Sequence, residues 1–201
     1  NAAKLADCGL SLHDSPRDLI PILLKYLGLD PDTTDVSQYD KAAALVAPMR
    51  EYVRAFDNEN YLNGLPNGDV CAVMAWSGDY AVAKARAESV GLSLNLAYAV
   101  PKTGAPLWFD VMAVPVDAPN KANAHAFLNY LMKPEVIAKC TNFIGYANAN
   151  KAANGFVDPA VLADPAIYPD AETQSRLWAP KALNEEQERA LTRIFQDIKS
   201  G

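Results

Sequence analysis

The sequence has few residues of the kinds that build redox or metal sites. It contains three cysteines and two histidines in 201 residues, and no CxxC pair occurs. Metal sites of this kind usually cluster such ligands at short spacings, so we expect no metal. The sequence also lacks a Walker loop, a GxSxG elbow, an HExxH helix and a GxGxxG turn. Since these motifs mark many nucleotide, hydrolase and metalloprotease sites, we expect no cofactor.

Positive charge is also scarce. The 18 basic residues are outnumbered by 24 acidic ones, which gives a net charge of −6. Binding to nucleic acid or to an anionic membrane would require a basic patch, so we expect neither partner. No apolar run reaches the roughly 18 residues of a membrane span, so we expect no membrane insertion. A cationic partner is compatible with the acidic balance.

The spacing of the cysteines and histidines indicates no catalytic or metal-binding role. Cys8, Cys71 and Cys140 can form at most one bond within the chain, and composition alone favours small buried thiols of a reducing compartment. We expect His13 and His125 to be structural or surface residues. The chain begins with Asn rather than Met and shows no signal peptide, so we expect it to be cut from a longer precursor.

Strand and helix patterns alternate along the chain. Short apolar or alternating runs predict strands, at residues 10–13, 70–76, 92–100 and 107–114. Helical periodicity predicts helices over 16–27, 41–56 and 79–90, and others that begin near residues 120, 134 and 184. Alternation of this kind indicates the α/β class.

Acidic residues stand beside aromatic residues where predicted strands end. Asp79 follows Trp76 after one strand, Trp108 and Asp110 lie in another, and Tyr146 lies in a polar loop. Open α/β sheets bind ligands beyond the strand ends. Aromatic faces attract ammonium groups, and carboxylates bond the ammonium hydrogens. This combination predicts a site for a diamine or polyamine.

Each candidate also has a structural interpretation. Asp18 suits the third position of a helix capping box, and Asp79 suits the cap of the helix that it precedes. Trp76 and Trp108 are of the type most often found in a core. Asp110 is harder to explain in this way, because an acid in an apolar strand needs a partner, a proton or a ligand.

Several stretches carry a family resemblance through their order and spacing. They are DSPRD at 14–18, NGDVC at 67–71 continuing to WSGD at 76–79, FDV at 109–111, FLNYL at 127–131 and YANANKA at 146–152. Together they resemble the bacterial periplasmic polyamine-binding proteins, the putrescine- and spermidine-binding components of ABC transporters. The resemblance spans the whole chain.

The resemblance implies a periplasmic-binding-protein-like α/β fold of type II, with two lobes and a hinge. This chain would supply the second lobe with residues 1–106 and 155–201, and the hinge crossing and the remainder of the first lobe with residues 107–154. Family members are longer, and the part that they have in addition would lie on the N-terminal side. The implied function is capture of spermidine or putrescine in the periplasm and delivery to an ABC transporter permease, without catalysis.

The resemblance also carries residue roles. The amino groups of the ligand would be held by three acidic residues, Asp18, Asp79 and Asp110. Its methylenes would be enclosed by three aromatic residues, Trp76, Trp108 and Tyr146. A Cys8–Cys71 disulfide is implied, with Cys140 free. Putrescine-type members usually carry Phe at the position of Trp108, so we expect the larger indole to favour spermidine.

The residues by themselves also leave other functions open. Asp79 and Asp110 could be a carboxylate pair acting on a sugar. The same architecture could bind another solute, such as an amino acid or a metal ion. An amino acid would need an arginine for its carboxylate, and Arg17 is the nearest one to the candidate residues. The chain could also be an incomplete fragment that binds weakly because part of the cleft is missing.

Overall fold

A small parallel sheet organises the first part of the chain in the computed structural model, which describes residues 2–200. Strand β1 (Leu10–Leu12) lies between β2 (Val53–Phe56) and β3 (Ala72–Val73) and runs parallel to both. All three residues of β1 are buried. Burial of consecutive residues is expected for a central parallel strand that is covered on both faces.

Helices make up most of the remaining regular structure. The α-helices are α1 (Pro16–Tyr26), α2 (Tyr39–Val46), α3 (Tyr61–Asn67), α4 (Ser77–Ser89), α5 (Lys121–Leu131), α6 (Pro134–Ile144), α7 (Pro159–Leu162), α8 (Ala171–Gln174) and α9 (Glu185–Ser200). Short 3-10 helices occupy Ala2–Leu5, Val36–Gln38, Ala47–Tyr52 and Lys151–Gly155. None of the helices in this part of the chain is long and apolar enough to cross a bilayer.

The main core lies between the sheet and helices α1, α2 and α9. Its most buried side chains include Ile20, Leu24, Val46, Leu191 and Ile194. Helix α9 begins with the predicted capping box. The Asn184 side-chain oxygen accepts from the Gln187 backbone N–H, and the Gln187 side chain accepts from the Asn184 N–H, both at 2.9 Å. These two bonds satisfy donors that a helix start leaves unpaired.

A second, smaller core surrounds helix α6. Ala138, Ala153 and Val157 are its buried members, with Val161 and Leu162 packed against them. This cluster includes residues on both sides of the 154/155 boundary predicted between lobe segments. The division of the chain into lobes stays a prediction.

Two of the predicted strands are wrong. Residues 92–100 and 107–114 form no strand, and the only bridge near them joins Pro106 to Trp178. Their alternation suits a strand, but a strand also needs a neighbour for its ladder of hydrogen bonds. Within residues 2–200 these segments have none, and Val111 is 85% exposed.

The predicted helix over 41–56 is also too long. Helix α2 ends at Val46, the 3-10 helix Ala47–Tyr52 follows, and strand β2 then begins. Pro48 lacks a backbone N–H and cannot continue the helical hydrogen bonding. The β-branched Val53 enters the sheet, where such residues pack well.

Helix α5 forms at the predicted position, but its apolar side is not covered. None of its residues is buried, and Phe127 is 57% exposed. Phe143 on α6 is 88% exposed. Large exposed patches of apolar side chains are unusual on the surface of a monomeric protein. The residue pattern therefore predicts the helix correctly, and the structure leaves its large apolar side chains exposed.

Cys8 and Cys71 form a disulfide with 5.4 Å between their Cα atoms, which confirms the predicted pairing. The bond joins the residues just before β1 and β3 and closes a loop with a sequence separation of 63. Cys140 is free. A loop of this length gives the bond a large entropic effect on the unfolded chain.

Replacing both bonded cysteines with serine should lower the free energy of unfolding by about 2–4 kcal/mol. For a chain of this size, the midpoint of thermal unfolding should fall by roughly 5–15 °C. The measurement is thermal unfolding followed by circular dichroism. Cys140→Ser is the matched control. Dithiothreitol should lower the midpoint of the wild type and of this control, and leave the double variant unchanged. A double variant as stable as the wild type would contradict the prediction.

Candidate functional site

The carboxyl ends of the three parallel strands lie at one edge of the sheet, which we call the carboxyl edge. His13 follows β1, Asp57 follows β2 and Trp76 lies shortly after β3. Asp18 lies in the first turn of α1, and Asp79 lies in the first turn of α4. Helix N-termini stabilise negative charge, so both carboxylates are favourably placed. Open α/β sheets bind their ligands at such an edge.

Asp18 is buried and bonded to a residue distant in sequence. Its Oδ1 accepts a hydrogen bond from Trp108 Nε1 at 3.0 Å. Ser15 occupies the N-cap position of α1, but its side chain makes no capping bond. The helix-capping interpretation is therefore not supported by this geometry. The Trp108 ring remains 45% exposed, so part of its surface is open to a ligand.

Asp79 accepts hydrogen bonds from two tyrosine hydroxyls. Tyr61 donates to Oδ2, and Tyr146 donates to Oδ1 at 3.1 Å. Burial and the Asp79 carboxylate raise the pKa of both tyrosines above the usual value, so both hydroxyls remain donors at neutral pH. The N-cap of α4 is Trp76, and Asp79 is not in a capping position. A carboxylate has about four acceptor sites, so Asp79 keeps capacity for a ligand.

Asp110 lies at the exposed margin of this group. Among the described residues it has no hydrogen bond or ion pair, and its charge helps to raise the pKa of Tyr146. Burial and the charge of Asp79 raise the pKa of Tyr98 as well. The structure thus gathers all the predicted site residues near the carboxyl edge. Their contact with a ligand stays a prediction.

Tyr61 and His13 contact the predicted site residues, although nothing in their sequence pattern marks them as functional. Both are 2% exposed, and the His13 ring lies 4.3 Å from the Trp76 ring between centroids. Asp57 fixes the start of α3 by accepting from the Tyr61 backbone N–H at 2.8 Å. A helix that starts directly after a strand places its first residues at the carboxyl edge. That position is the signal by which Tyr61 could have been found.

A cavity of about 440 Å³ opens beside Asp79. Its lining includes Asn58, Asn60, Asn63, Trp76, Asp79 and Arg86. This volume is in the range of small-molecule sites. Arg86 donates to the Asn63 side-chain oxygen at 2.7 Å, whereas Arg17 forms an ion pair with Glu188. Between residues 2 and 200, no three Cys, His, Asp or Glu side chains gather as a metal site would require.

Comparison with known proteins gives consistent matches over the whole chain. The family model for bacterial extracellular solute-binding proteins matches residues 2–169. The putrescine-binding periplasmic protein PotF of Escherichia coli (strain K12) is 40% identical over 202 residues, covering 100% of this chain and 55% of its own length. The putrescine-binding periplasmic protein SpuD of Pseudomonas aeruginosa is also 40% identical, with the same coverage. The chain therefore spans about half the length of these relatives.

A solved structure agrees with the fold. The spermidine/putrescine ABC transporter substrate-binding protein PotD of Streptococcus pneumoniae matches with a TM-score of 0.82. It is 24% identical, and the match covers 96% of this chain and 58% of that chain. At this identity the likeness concerns the backbone architecture.

Gly78 allows Tyr146 to approach Asp79, and its replacement tests this packing. A Cβ atom at Gly78 would lie 2.0 Å from a carbon of the Tyr146 ring. Gly78→Ala should therefore displace Tyr146 and lower the free energy of unfolding by about 1–3 kcal/mol. The measurement is unfolding by urea. Gly155→Ala is the control, because a Cβ there meets nothing within 4 Å, and its effect should stay within about 0.5 kcal/mol. Equal stability of the two variants would contradict the close contact.

Proposed function

Because this chain belongs to the bacterial extracellular solute-binding protein family, we propose that it binds a polyamine, putrescine or spermidine, at the carboxyl edge of its sheet. One observation carries the proposal. The carboxylates of Asp18 and Asp79 lie at the same edge, each bonded by aromatic donors, with Trp76 beside them. The names of the two 40% identical relatives support putrescine as one ligand.

The chemistry of the edge suits a chain of methylenes with an amine at each end. Asp18 and Asp79 each retain acceptor capacity for an ammonium group. Trp76 and the exposed part of Trp108 offer flat surfaces for methylenes and for cation–π contact. Asp110, which has no partner within residues 2–200, supplies a further acidic group at the margin.

The proposed working form has two lobes. Residues 1–106 and 155–201 build the second lobe, and residues 107–154 cross the hinge and contribute to the first. Closure would trap the ligand, and the closed protein would deliver it to the permease of an ABC transporter. We assign the protein to the periplasm, as the names of its relatives suggest. The Cys8–Cys71 disulfide is consistent with that oxidising compartment.

The same geometry argues against an enzyme. A glycosidase needs one carboxyl group that donates a proton and a second that acts as base or nucleophile. Both oxygens of Asp79 instead accept from tyrosine hydroxyls. Asp110 is exposed and has neither a hydrogen bond nor an ion pair within residues 2–200. The relatives are substrate-binding proteins, and we propose that this chain is not an enzyme either.

One observation favours a second candidate, an amino acid. Arg86 lines the same cavity as Asp79. A guanidinium and a carboxylate in one cavity could hold the carboxylate and the ammonium of an amino acid. Arg86 is already bonded to Asn63, and three amide side chains share its cavity. An amino-acid ligand is therefore included in the binding test.

Calorimetric titration of putrescine, spermidine and glutamate tests the proposal, in the 201-residue chain and in the complete gene product. We expect both polyamines to bind to the complete gene product, and glutamate not to bind. Asp79→Asn should weaken polyamine binding by about 10- to 100-fold, because a charge-assisted hydrogen bond is lost.

Asp197→Asn is the matched control, since it removes the same charge from an exposed position on α9. It should change the affinity by less than about twofold, because exposed charges are screened. Glutamate binding without polyamine binding would select the second candidate. Equal losses in the two variants would show that net charge, and not the site, attracts the ligand.

Trp108 is expected to bias the site towards the longer polyamine. Its indole is larger than the phenyl ring usual in putrescine-type members, and its N–H donates to Asp18. Trp108→Phe removes that donor and replaces the indole with a smaller aromatic ring. The ratio of spermidine to putrescine affinity should fall by about 3- to 10-fold, as expected for a small change in aromatic contact. Tyr26→Phe is the control, because it removes a donor from an exposed aromatic ring at the other end of α1. An unchanged ratio in Trp108→Phe would remove the role in selectivity.

A further inference from the structure

His13 lies at the centre of the carboxyl edge without being used in the contacts described above. Its side chain is 2% exposed. The imidazole lies 4.3 Å from the Trp76 ring between centroids, with 34° between the planes, and meets the Tyr61 ring edge-on at 6.4 Å. Its Nδ1 is buried and has no hydrogen-bond partner among the described residues. His13 thus packs behind two of the aromatic residues of the site.

Charged and polar groups face His13 from every element around it. They are Asp18 on α1, Asp57 and Asn58 after β2, Tyr61 on α3 and Asp79 on α4. Burial lowers the pKa of His13 below its usual value. The carboxylates of Asp18, Asp79 and Asp57 and the amide side chain of Asn58 act on this pKa in the opposite direction. At neutral pH the imidazole is therefore uncharged. A proton on it would place a buried cation among the carboxylates that the proposed ligand needs.

We propose that His13 is a positioning residue of the ligand site: its neutral ring supports Trp76, and its protonation opposes the binding of a cation. The inference rests on the proposed function. Contact with the tilted His13 ring restrains the plane of the Trp76 ring against which the ligand would lie. The absence of charge on His13 leaves the field of Asp18 and Asp79 available to an ammonium group.

The two effects link binding to pH. If an imidazolium and a bound polyamine exclude each other, ligand binding expels the proton and the proton weakens ligand binding by the same factor. Because burial lowers the pKa of His13, this weakening occurs at pH values below the ordinary histidine value of 6.5. At pH values below the His13 pKa, each further unit of acidification should reduce the affinity by up to about tenfold.

The test compares the pH dependence of putrescine affinity in the complete gene product between pH 7.5 and 5.0. Wild type and His125→Phe should lose about tenfold more affinity over this range than His13→Phe, which keeps a flat ring against Trp76 and cannot bind a proton. His125 is exposed on α5 and is the matched control. His13→Ala removes the ring as well, and should also weaken binding at pH 7.5 by about tenfold.

A second measurement does not depend on how the variants fold. Selectively labelled imidazoles give NMR signals that report the pKa of each histidine, and His13 and His125 are the two that these 201 residues contribute. Putrescine should lower the pKa of His13 by about one unit and leave that of His125 unchanged. An unchanged His13 pKa in the presence of bound putrescine, or equal pH profiles for wild type and His13→Phe, would overturn the inference alone. If putrescine binds at no pH, the proposed function fails and the inference fails with it.

Discussion

The burial of the central strand β1 is the constraint on which the positions of the site residues depend. Its carboxyl end places His13 inside the protein and starts the turn into α1 that carries Asp18. The sheet is short, and β1 pairs with β3 through two residues only. The Cys8–Cys71 bond holds the beginnings of these two strands together covalently. The spacing between His13 and Trp76 is thus fixed by a buried strand, a short ladder and a disulfide acting together.

Asp79 connects two packing units of the chain, which are the part around the sheet and the part around helix α6. Tyr61, on the sheet side, and Tyr146, which follows α6, donate to opposite oxygens of this one carboxylate. Helices α4 and α6 approach closely at Gly78 and Gly145, where a side chain would collide with the neighbouring helix or loop. Two glycines at this contact allow the tyrosine to reach the acid. A ligand at Asp79 would therefore interact with a group that both units already stabilise.

Much of the fold could be predicted because it is set by local sequence. The α/β class and the family resemblance are confirmed, and helix starts such as Pro134 and the Asn184 capping box follow from adjacent residues. The strands at 92–100 and 107–114 could not be predicted from their own pattern, because a strand exists only with a partner. In the candidate site, Asp79 follows Trp76 closely in sequence, so their proximity could be predicted from the sequence alone. The position of His13 among carboxylates could not be predicted in this way, because those carboxylates come from three separate segments of the chain.

The bond between Trp108 and Asp18 explains how an irregular segment can contribute to an ordered site. No ladder holds residues 107–114, but the Leu107 N–H donates to the Trp178 carbonyl at 2.7 Å, and the Trp108 indole donates to Asp18 at 3.0 Å. The first bond holds the backbone next to Trp108, and the second holds the indole itself. The indole uses one acceptor position of a carboxylate that has about four. Asp18 therefore keeps acceptor capacity for an ammonium group of the proposed ligand while Trp108 stays bonded to it. The proposed site then needs no rearrangement for the indole and the carboxylate to contact the same ligand.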